Sequence, residues 1–174
     1  EPPEGVLFLL TADSLAGVLP TIRSRCVSFA IAPVSPADCA RYCTAHGVDK
    51  KTAALYSELF DGHIGTVLTA ARDKARTEQV DKAMELARAA QAGDSYTAAV
   101  LLAPYEKDKA GAAALLRDLR AVAAAGLQGS PHAPVQGQQA QRTLRLAEAA
   151  IQRLGAQVNP KIVLTVFAAR LAHA

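Results

Sequence analysis

The sequence predicts a mainly α-helical protein that begins with two short β-strands. Alanine is abundant, aromatic residues make up only 5% of the chain, and glycine and proline concentrate at a few positions. These features favour closely packed helices over a β-sandwich. With 174 residues, 51% of them hydrophobic, the chain can bury the core of one domain or of two small ones.

Two apolar segments near the start of the chain predict the strands. Residues 6–10 form an uninterrupted apolar run, which is typical of a strand buried on both faces of a parallel sheet. Residues 27–31 alternate large apolar side chains with Ser28 and Ala30, as in a strand with one buried face. We therefore expect residues 1–32 to hold the last two strands of an α/β domain.

Two short helical turns are predicted between these strands. Asp13 or Ser14 can cap a first turn over residues 15–19. Pro20 suits the first position of a second turn, which ends near Cys26. An arginine at the end of such a rigid turn, beside the edge of a sheet, can extend beyond its own subunit.

Helix signals dominate from residue 33 onward. Ser35-Pro36 opens a helix that His46-Gly47 closes. The predicted helices of this region cover residues 36–45, 50–60 and 64–72, and a fourth carries Val80, Ala83, Met84, Ala87 and Ala90 at helical spacing. We expect them to form a small helical domain at residues 33–92.

Residues 93–174 predict a helical bundle. Gly93-Asp94-Ser95 begins a new helix and Pro104 interrupts it. A loop at residues 129–134 separates two long helices. The predicted elements are helices over residues 95–102 and 106–127, a seam of Leu144, Ala147, Ile151, Leu154 and Val158, and a helix over 161–171 capped by Asn159-Pro160. The apolar face of the helix over 106–127 is Ala112, Leu115, Leu116, Leu119, Val122 and Ala123. Because the last helix is apolar on most sides, we expect it to be central.

The stretch Leu19-Pro20-Thr21-Ile22-Arg23-Ser24-Arg25-Cys26 resembles the Ser-Arg-Cys motif of the clamp-loader AAA+ ATPases. It is most similar to the δ′ subunits of bacterial DNA polymerase III, with the γ/τ subunits as close relatives. The resemblance implies that residues 1–32 end a truncated AAA+ nucleotide-binding domain, 33–92 form its helical lid, and 93–174 form a collar for oligomerisation. Since the chain starts without Met and enters an apolar segment directly, we expect it to be part of a longer protein.

The resemblance implies that Arg25 is an arginine finger acting in trans, with Ser24 and Cys26 completing its motif. Such a residue neutralises the charge that develops on the γ-phosphate of ATP bound to a neighbouring subunit. Arginine suits this role because its guanidinium is planar, permanently charged and bidentate. Spacing alone also allows a plain surface arginine, and Arg23, two residues away on the same turn, is the weaker candidate.

Two further positions follow from the resemblance. Thr11, after the first predicted strand, occupies the sensor 1 position, and its hydroxyl would face the nucleotide. The alternative is that Thr11 only ends the strand. ATP-hydrolysing relatives place the sensor 2 arginine early in the third lid helix, near Gly65, but no arginine occurs between Arg41 and Arg72. This departure favours δ′ over γ/τ, and nearby His63 is better explained as a cap or surface residue.

The remaining candidates predict little chemistry. Cys39 and Cys43 lie four residues apart with only His46 near them, so we expect small buried side chains and no metal site. The stripe of Arg142, Arg145 and Arg153 can contact DNA or an acidic partner, but is more often the wet side of an amphipathic helix. No apolar run approaches the roughly 20 residues of a membrane span. The odd cysteine count and the lack of a signal sequence indicate a cytoplasmic protein.

The sequence therefore predicts an accessory subunit of the DNA polymerase III clamp loader. It would assemble with γ/τ and δ subunits, present Arg25 to the ATP of a neighbour, and help to load the sliding clamp on primed DNA. By itself this chain is expected to bind no cofactor and to be catalytically inert. The alternatives are a γ/τ ATPase subunit, a helical interaction scaffold unrelated to ATP, and a DNA-binding helical module.

Overall fold

The computed structural model of the protein describes residues 3–12, 14–32 and 34–172. The chain divides into two compact units, Glu1–Ala32 and Pro33–Ala174. Helices account for most of the described residues, as the sequence predicts.

The two predicted strands are wrong. Residues 6–10 and 27–31 have no regular structure, and no β-strand occurs in the described parts of the chain. Their side chains are exposed, with Leu9 at 87% and Ile31 at 95% of full exposure. A strand is stable only when its backbone groups pair with neighbouring strands and its apolar face is covered. Neither condition is met by residues 6–10 or 27–31.

The two helical turns of the first unit are present but short. The predicted turn at 15–19 is a single 3₁₀ turn, Leu15–Gly17, and the Ser14 side chain accepts a hydrogen bond from the N–H of Ala16 at 3.2 Å. The alternative cap, Asp13, lies outside the described residues. Helix α1, Pro20–Arg23, begins with its proline at the first position, as predicted.

The second unit is entirely helical apart from its turns and loops. Its helices are α2, Pro36–Ala45; α3, Lys50–Leu59; α4, Ile64–Arg72; α5, Lys74–Ala92; α6, Ser95–Leu102; α7, Lys109–Leu127; α8, Gly137–Gly155; and α9, Pro160–Ala172. A 3₁₀ turn, Ala103–Tyr105, follows α6 where Pro104 was expected to break the helix. Side chains that accept hydrogen bonds from first-turn N–H groups mark six of these helix starts: Ser35, Asp49, Asp73, Asp94, Asp108 and Asn159.

Helix α5 is the element around which the second unit packs. It contacts α4, α6, α7, α8 and α9. The apolar stripes predicted for α5 and α7 are buried, including Val80, Met84, Leu115 and Leu119. Alanines at 0% exposure in α5 and α7 allow close approach of their backbones, which explains how a chain with few aromatic residues builds this core.

Two details of the predicted bundle need correction. Helix α7 begins at Lys109, because Asp108 caps it, and not at Glu106. Val158 lies beyond the end of α8 and is 37% exposed, so the predicted seam ends at Leu154.

The predicted lid and collar lie in the same unit, because α5 contacts helices of both. Their assignment as lid and collar stays a prediction.

Candidate functional site

Residues 19–26, called here the arginine turn, hold the motif on a short hydrogen-bonded scaffold. The Leu19 carbonyl accepts the N–H groups of Ile22 and Arg23 at 3.0 and 3.1 Å. The N–H of Ser24 donates to the Pro20 carbonyl at 3.0 Å. Because the proline ring fixes its own backbone angle, the turn starts from a preset conformation.

The second half of the turn is tied in the same way. The N–H of Arg25 donates to the Ile22 carbonyl at 3.1 Å, and the Ser24 hydroxyl donates to the Thr21 carbonyl at 3.2 Å. Arg25 therefore follows directly on a closed helical turn, as the sequence predicts for its backbone.

The side chains of Arg23 and Arg25 are exposed. Among the described residues, neither guanidinium forms an ion pair or a side-chain hydrogen bond. Residues 14–32 carry these two arginines and no acidic residue. The turn thus presents two exposed guanidinium groups that are available to an external anion.

The structure does not join the other motif candidates into one site. Thr11 is exposed in a segment without regular structure, and no hydrogen bond between described residues connects it to the arginine turn. Cys26 is an exposed free thiol next to Arg25. The sensor 1 role of Thr11 and the finger role of Arg25 both remain predictions.

The predicted sensor 2 region forms the start of α4. Gly65 lies in the first turn, and a Cβ atom added there would meet nothing within 4 Å. His63 is exposed and its side chain makes no capping hydrogen bond, in agreement with a surface residue. A groove of about 270 Å³ runs between this turn and α7, where Arg120 lines it together with His63 and Thr66.

Sequence reasoning missed two polar clusters inside the second unit. In the first, the Arg76 guanidinium binds both oxygens of Asp118, with Nη2 at 2.6 Å from Oδ1, and the Gln79 amide donates to Oδ2 at 2.8 Å. Hydrogen bonding to Asp118 raises the pKa of Arg76 above its ordinary value, although burial opposes it. The signal was present, because Asp118 interrupts the apolar stripe of α7 next to Leu119.

In the second cluster, Ser130 and His132 converge on one oxygen of Glu58. The Ser130 hydroxyl donates to Oε2, and His132 Nδ1 lies 2.9 Å from the same atom. Burial would raise the pKa of Glu58, but these hydrogen bonds outweigh it and lower that pKa. Both groups bind the carboxylate separately, so the cluster lacks the serine–histidine contact of a nucleophilic site.

The remaining predicted candidates are the two cysteines of α2 and the arginine stripe of α8. Cys39 and Cys43 are buried free thiols, as expected, and burial raises the pKa of Cys43 to about 11. Arg142 donates to the carbonyl of Arg170 at 2.7 Å, so it caps the end of α9, whereas Arg145 and Arg153 stay exposed. None of the helices in the described ranges is both long and apolar enough to cross a membrane.

One comparison with known proteins finds a match, and it covers the start of the chain. A family model described as "DNA polymerase III, delta subunit" matches residues 1–35, which include the arginine turn. No curated protein and no solved structure matches the chain. The match supports a DNA polymerase III clamp-loader-related family and leaves open which subunit of that complex the chain resembles.

Proposed function

We propose that this chain belongs to a δ′-type accessory subunit of the DNA polymerase III clamp loader. In this role Arg25 acts in trans on ATP bound to a neighbouring γ/τ subunit. The protein would assemble with γ/τ and δ subunits and help to place the sliding clamp on primed DNA.

One observation carries the proposal. Arg25 is an exposed guanidinium without an ion-pair partner among the described residues, and it lies within the segment that matches the family model. Arg76 and Arg142 are bound by a carboxylate and by a helix C-terminus of their own unit. The exposed Arg145 and Arg153 lie outside the matched segment.

The chemistry of phosphoryl transfer explains what such a group does. Negative charge on the γ-phosphate and on the bridging oxygen increases toward the transition state. A guanidinium that the turn delivers to the neighbouring site would stabilise that charge. The Pro20 turn supplies the fixed backbone, and the five N–H donors of Arg25 supply the bidentate contact.

One feature favours an accessory subunit over an ATPase. The start of α4 carries Gly65 where ATP-hydrolysing relatives are expected to place an arginine. We therefore propose that the ATP in question is bound by the neighbour.

Arg25→Ala in the subunit that contains this chain tests the proposal. The variant is reconstituted with γ/τ, δ and clamp, and DNA-stimulated ATP hydrolysis is measured after size-exclusion chromatography has verified assembly. We expect hydrolysis at the site served by Arg25 to fall roughly 10³-fold or more. Arg25→Lys should fall nearly as far, since a lysine keeps the charge and loses the planar donor pair.

Unchanged hydrolysis in an assembled Arg25→Ala complex would contradict the finger role. That result would favour a helical scaffold unrelated to ATP. If the variant fails to assemble, its binding to γ/τ is measured in the presence and in the absence of ATP. This measurement separates a role of the arginine turn in subunit contact from a role in catalysis. A loss of γ/τ binding that does not depend on ATP would also contradict the finger role.

A further inference from the structure

We infer that polar contacts inside the second unit fasten the helices of residues 33–92 to those of residues 93–174, so that Pro33–Ala174 transmits a displacement as one body. The inference concerns the second unit alone and does not depend on the proposed function. It assigns a mechanical role to two clusters that no sequence motif indicated.

The first fastening is the ion pair between α5 and α7. The Asp118 side chain is only 7% exposed and that of Arg76 is 23% exposed, so the pair is largely shielded from water. The Arg76 guanidinium also lies 5.7 Å from the ring centroid of Phe60, at the end of α3. Three helices thus meet at one charge, and any sliding of α5 along α7 leaves that charge unpaired.

The second fastening joins α3 to the loop between α7 and α8. Glu58 of α3 binds Ser130 and His132, which are 72 and 74 residues away in the chain. The same loop is held to the end of α5, because the N–H of Gln136 donates to the Gln91 side chain at 2.9 Å. The loop therefore cannot leave α3 without breaking hydrogen bonds to a half-buried carboxylate.

The junction at residue 93 is itself closed on both sides. The N–H of Gly93 donates to Ala90, and that of Asp94 donates to Ala89 at 2.9 Å, which completes the hydrogen-bonded end of α5. The Asp94 carboxylate then caps α6 by accepting the N–H of Thr97 at 3.0 Å. Only Gly93 and Asp94 separate the two capped helices, and both of their N–H groups are hydrogen-bonded, so no open linker lies at this predicted domain boundary.

A mechanical consequence follows from these contacts. A ligand or partner that moves α3 or α4 also moves α8 and α9, because α5 and α7 connect them without a free joint. In a lid and collar joined by a flexible link, the same movement would stop at residue 93.

Native-state hydrogen exchange of the full chain tests the inference. We expect the slowest-exchanging amides of α3 and α4 to open with the same free energy and the same denaturant dependence as those of α8 and α9, as in a single cooperative unit. Opening of α3 and α4 at a lower free energy than α8 and α9 in the unaltered chain would overturn it.

Asp118→Asn tests whether the ion pair couples the helices of residues 33–92 to those of residues 93–174. It should accelerate exchange in α3 and α4 roughly 100-fold while α8 and α9 keep most of their protection. Equal acceleration in all four helices, or none, would contradict this role of the pair. Should Asp118→Asn fail to fold, Gln79→Ala removes one hydrogen bond from the same carboxylate and should produce the same asymmetry at smaller size.

Arg88→Gln is the matched control for charge on the same helix. Arg88 is exposed on α5 and forms no ion pair with the described residues. Its replacement should leave the exchange of all four helices unchanged. A loss of protection confined to α3 and α4 in Arg88→Gln would show that any charge change on α5 has this effect, and would overturn the inference.

Discussion

Arg25 differs in its surroundings from the arginines that are bound within their own unit. Arg76 and Arg142 are bound by groups of their own unit, whereas Arg25 faces solvent at the end of a closed turn. A guanidinium with no internal partner keeps its donors available, and this availability is the physical basis of the proposed finger.

Glu58 illustrates how a single carboxylate responds to pH. Its folded pKa is lower than its ordinary value of 4.5, so its contribution to stability is complete above that value and is lost as the pH falls through the folded pKa. Glu58→Gln should lower the free energy of unfolding by about 1 kcal/mol at neutral pH. This difference from the unaltered protein should shrink below pH 4.5, as measured by urea denaturation.

Glu85 provides the control for this measurement. It is exposed on α5 and its side chain makes no hydrogen bond with described residues, so Glu85→Gln should change stability little at any pH. A Glu58→Gln deficit that stays constant down to pH 3 would show that the carboxylate charge contributes nothing.

At the scale of helices and turns, sequence rules worked where the determining forces are local. Ser35-Pro36 and Asn159-Pro160 predict helix starts correctly, because a cap side chain and a fixed proline angle act within one turn. Residues 6–10 and 27–31 have the composition of strands and yet form none. Strand formation depends on backbone partners at other positions, which no local pattern reports.

The buried ion pair predicts that removing one of its charges costs more stability than removing both. Asp118→Ala should lower the free energy at which α3 and α4 open by about 3 kcal/mol, since it leaves the shielded Arg76 charge unpaired. Arg76→Met combined with Asp118→Leu should cost less than Asp118→Ala alone, because no charge remains to be buried. Guanidinium denaturation of the three variants measures this order, and a double variant less stable than Asp118→Ala would contradict it.

Two glycines allow the cost of backbone strain to be separated from the cost of a steric clash. Gly47 and Gly62 both have positive φ, 89° and 73°, so alanine should cost each about 1 kcal/mol in strain. A Cβ at Gly62 would also lie 1.8 Å from the Val34 carbonyl oxygen, whereas one at Gly47 would meet nothing within 4 Å. Gly62→Ala should therefore lose roughly 3 kcal/mol. Equal losses in thermal or chemical denaturation would exclude this contact.

At the scale of the molecule, the arrangement of the helices was less predictable than their positions. Apolar spacing correctly indicated which faces of α5 and α7 are buried. It did not indicate that α5 would contact helices on both sides of Gly93, because a fully apolar stripe has no preferred partner. The polar clusters of Asp118 and Glu58 fix that choice, and their partners lie at least 39 residues away in the chain.

The first unit predicts how the whole chain behaves in solution. Residues 6–10 and 27–31 leave large apolar side chains exposed, so we expect the chain to self-associate as its concentration rises. Leu9→Lys with Phe29→Lys should reduce this association in sedimentation velocity experiments. Gln141→Lys, which adds charge on the exposed side of α8 without removing apolar surface, should not. A chain that stays monomeric throughout would contradict the expectation.

The most direct test of the proposed function compares two neighbouring arginines in the assembled clamp loader. DNA-stimulated ATP hydrolysis is measured with Arg25→Ala and with Arg23→Ala in otherwise identical complexes. Both variants remove one exposed positive charge from the same turn, so their effects on general electrostatics should match. We predict a large loss for Arg25→Ala and a small one for Arg23→Ala. Equal losses, or no loss in either, would contradict the assignment of Arg25 as the finger.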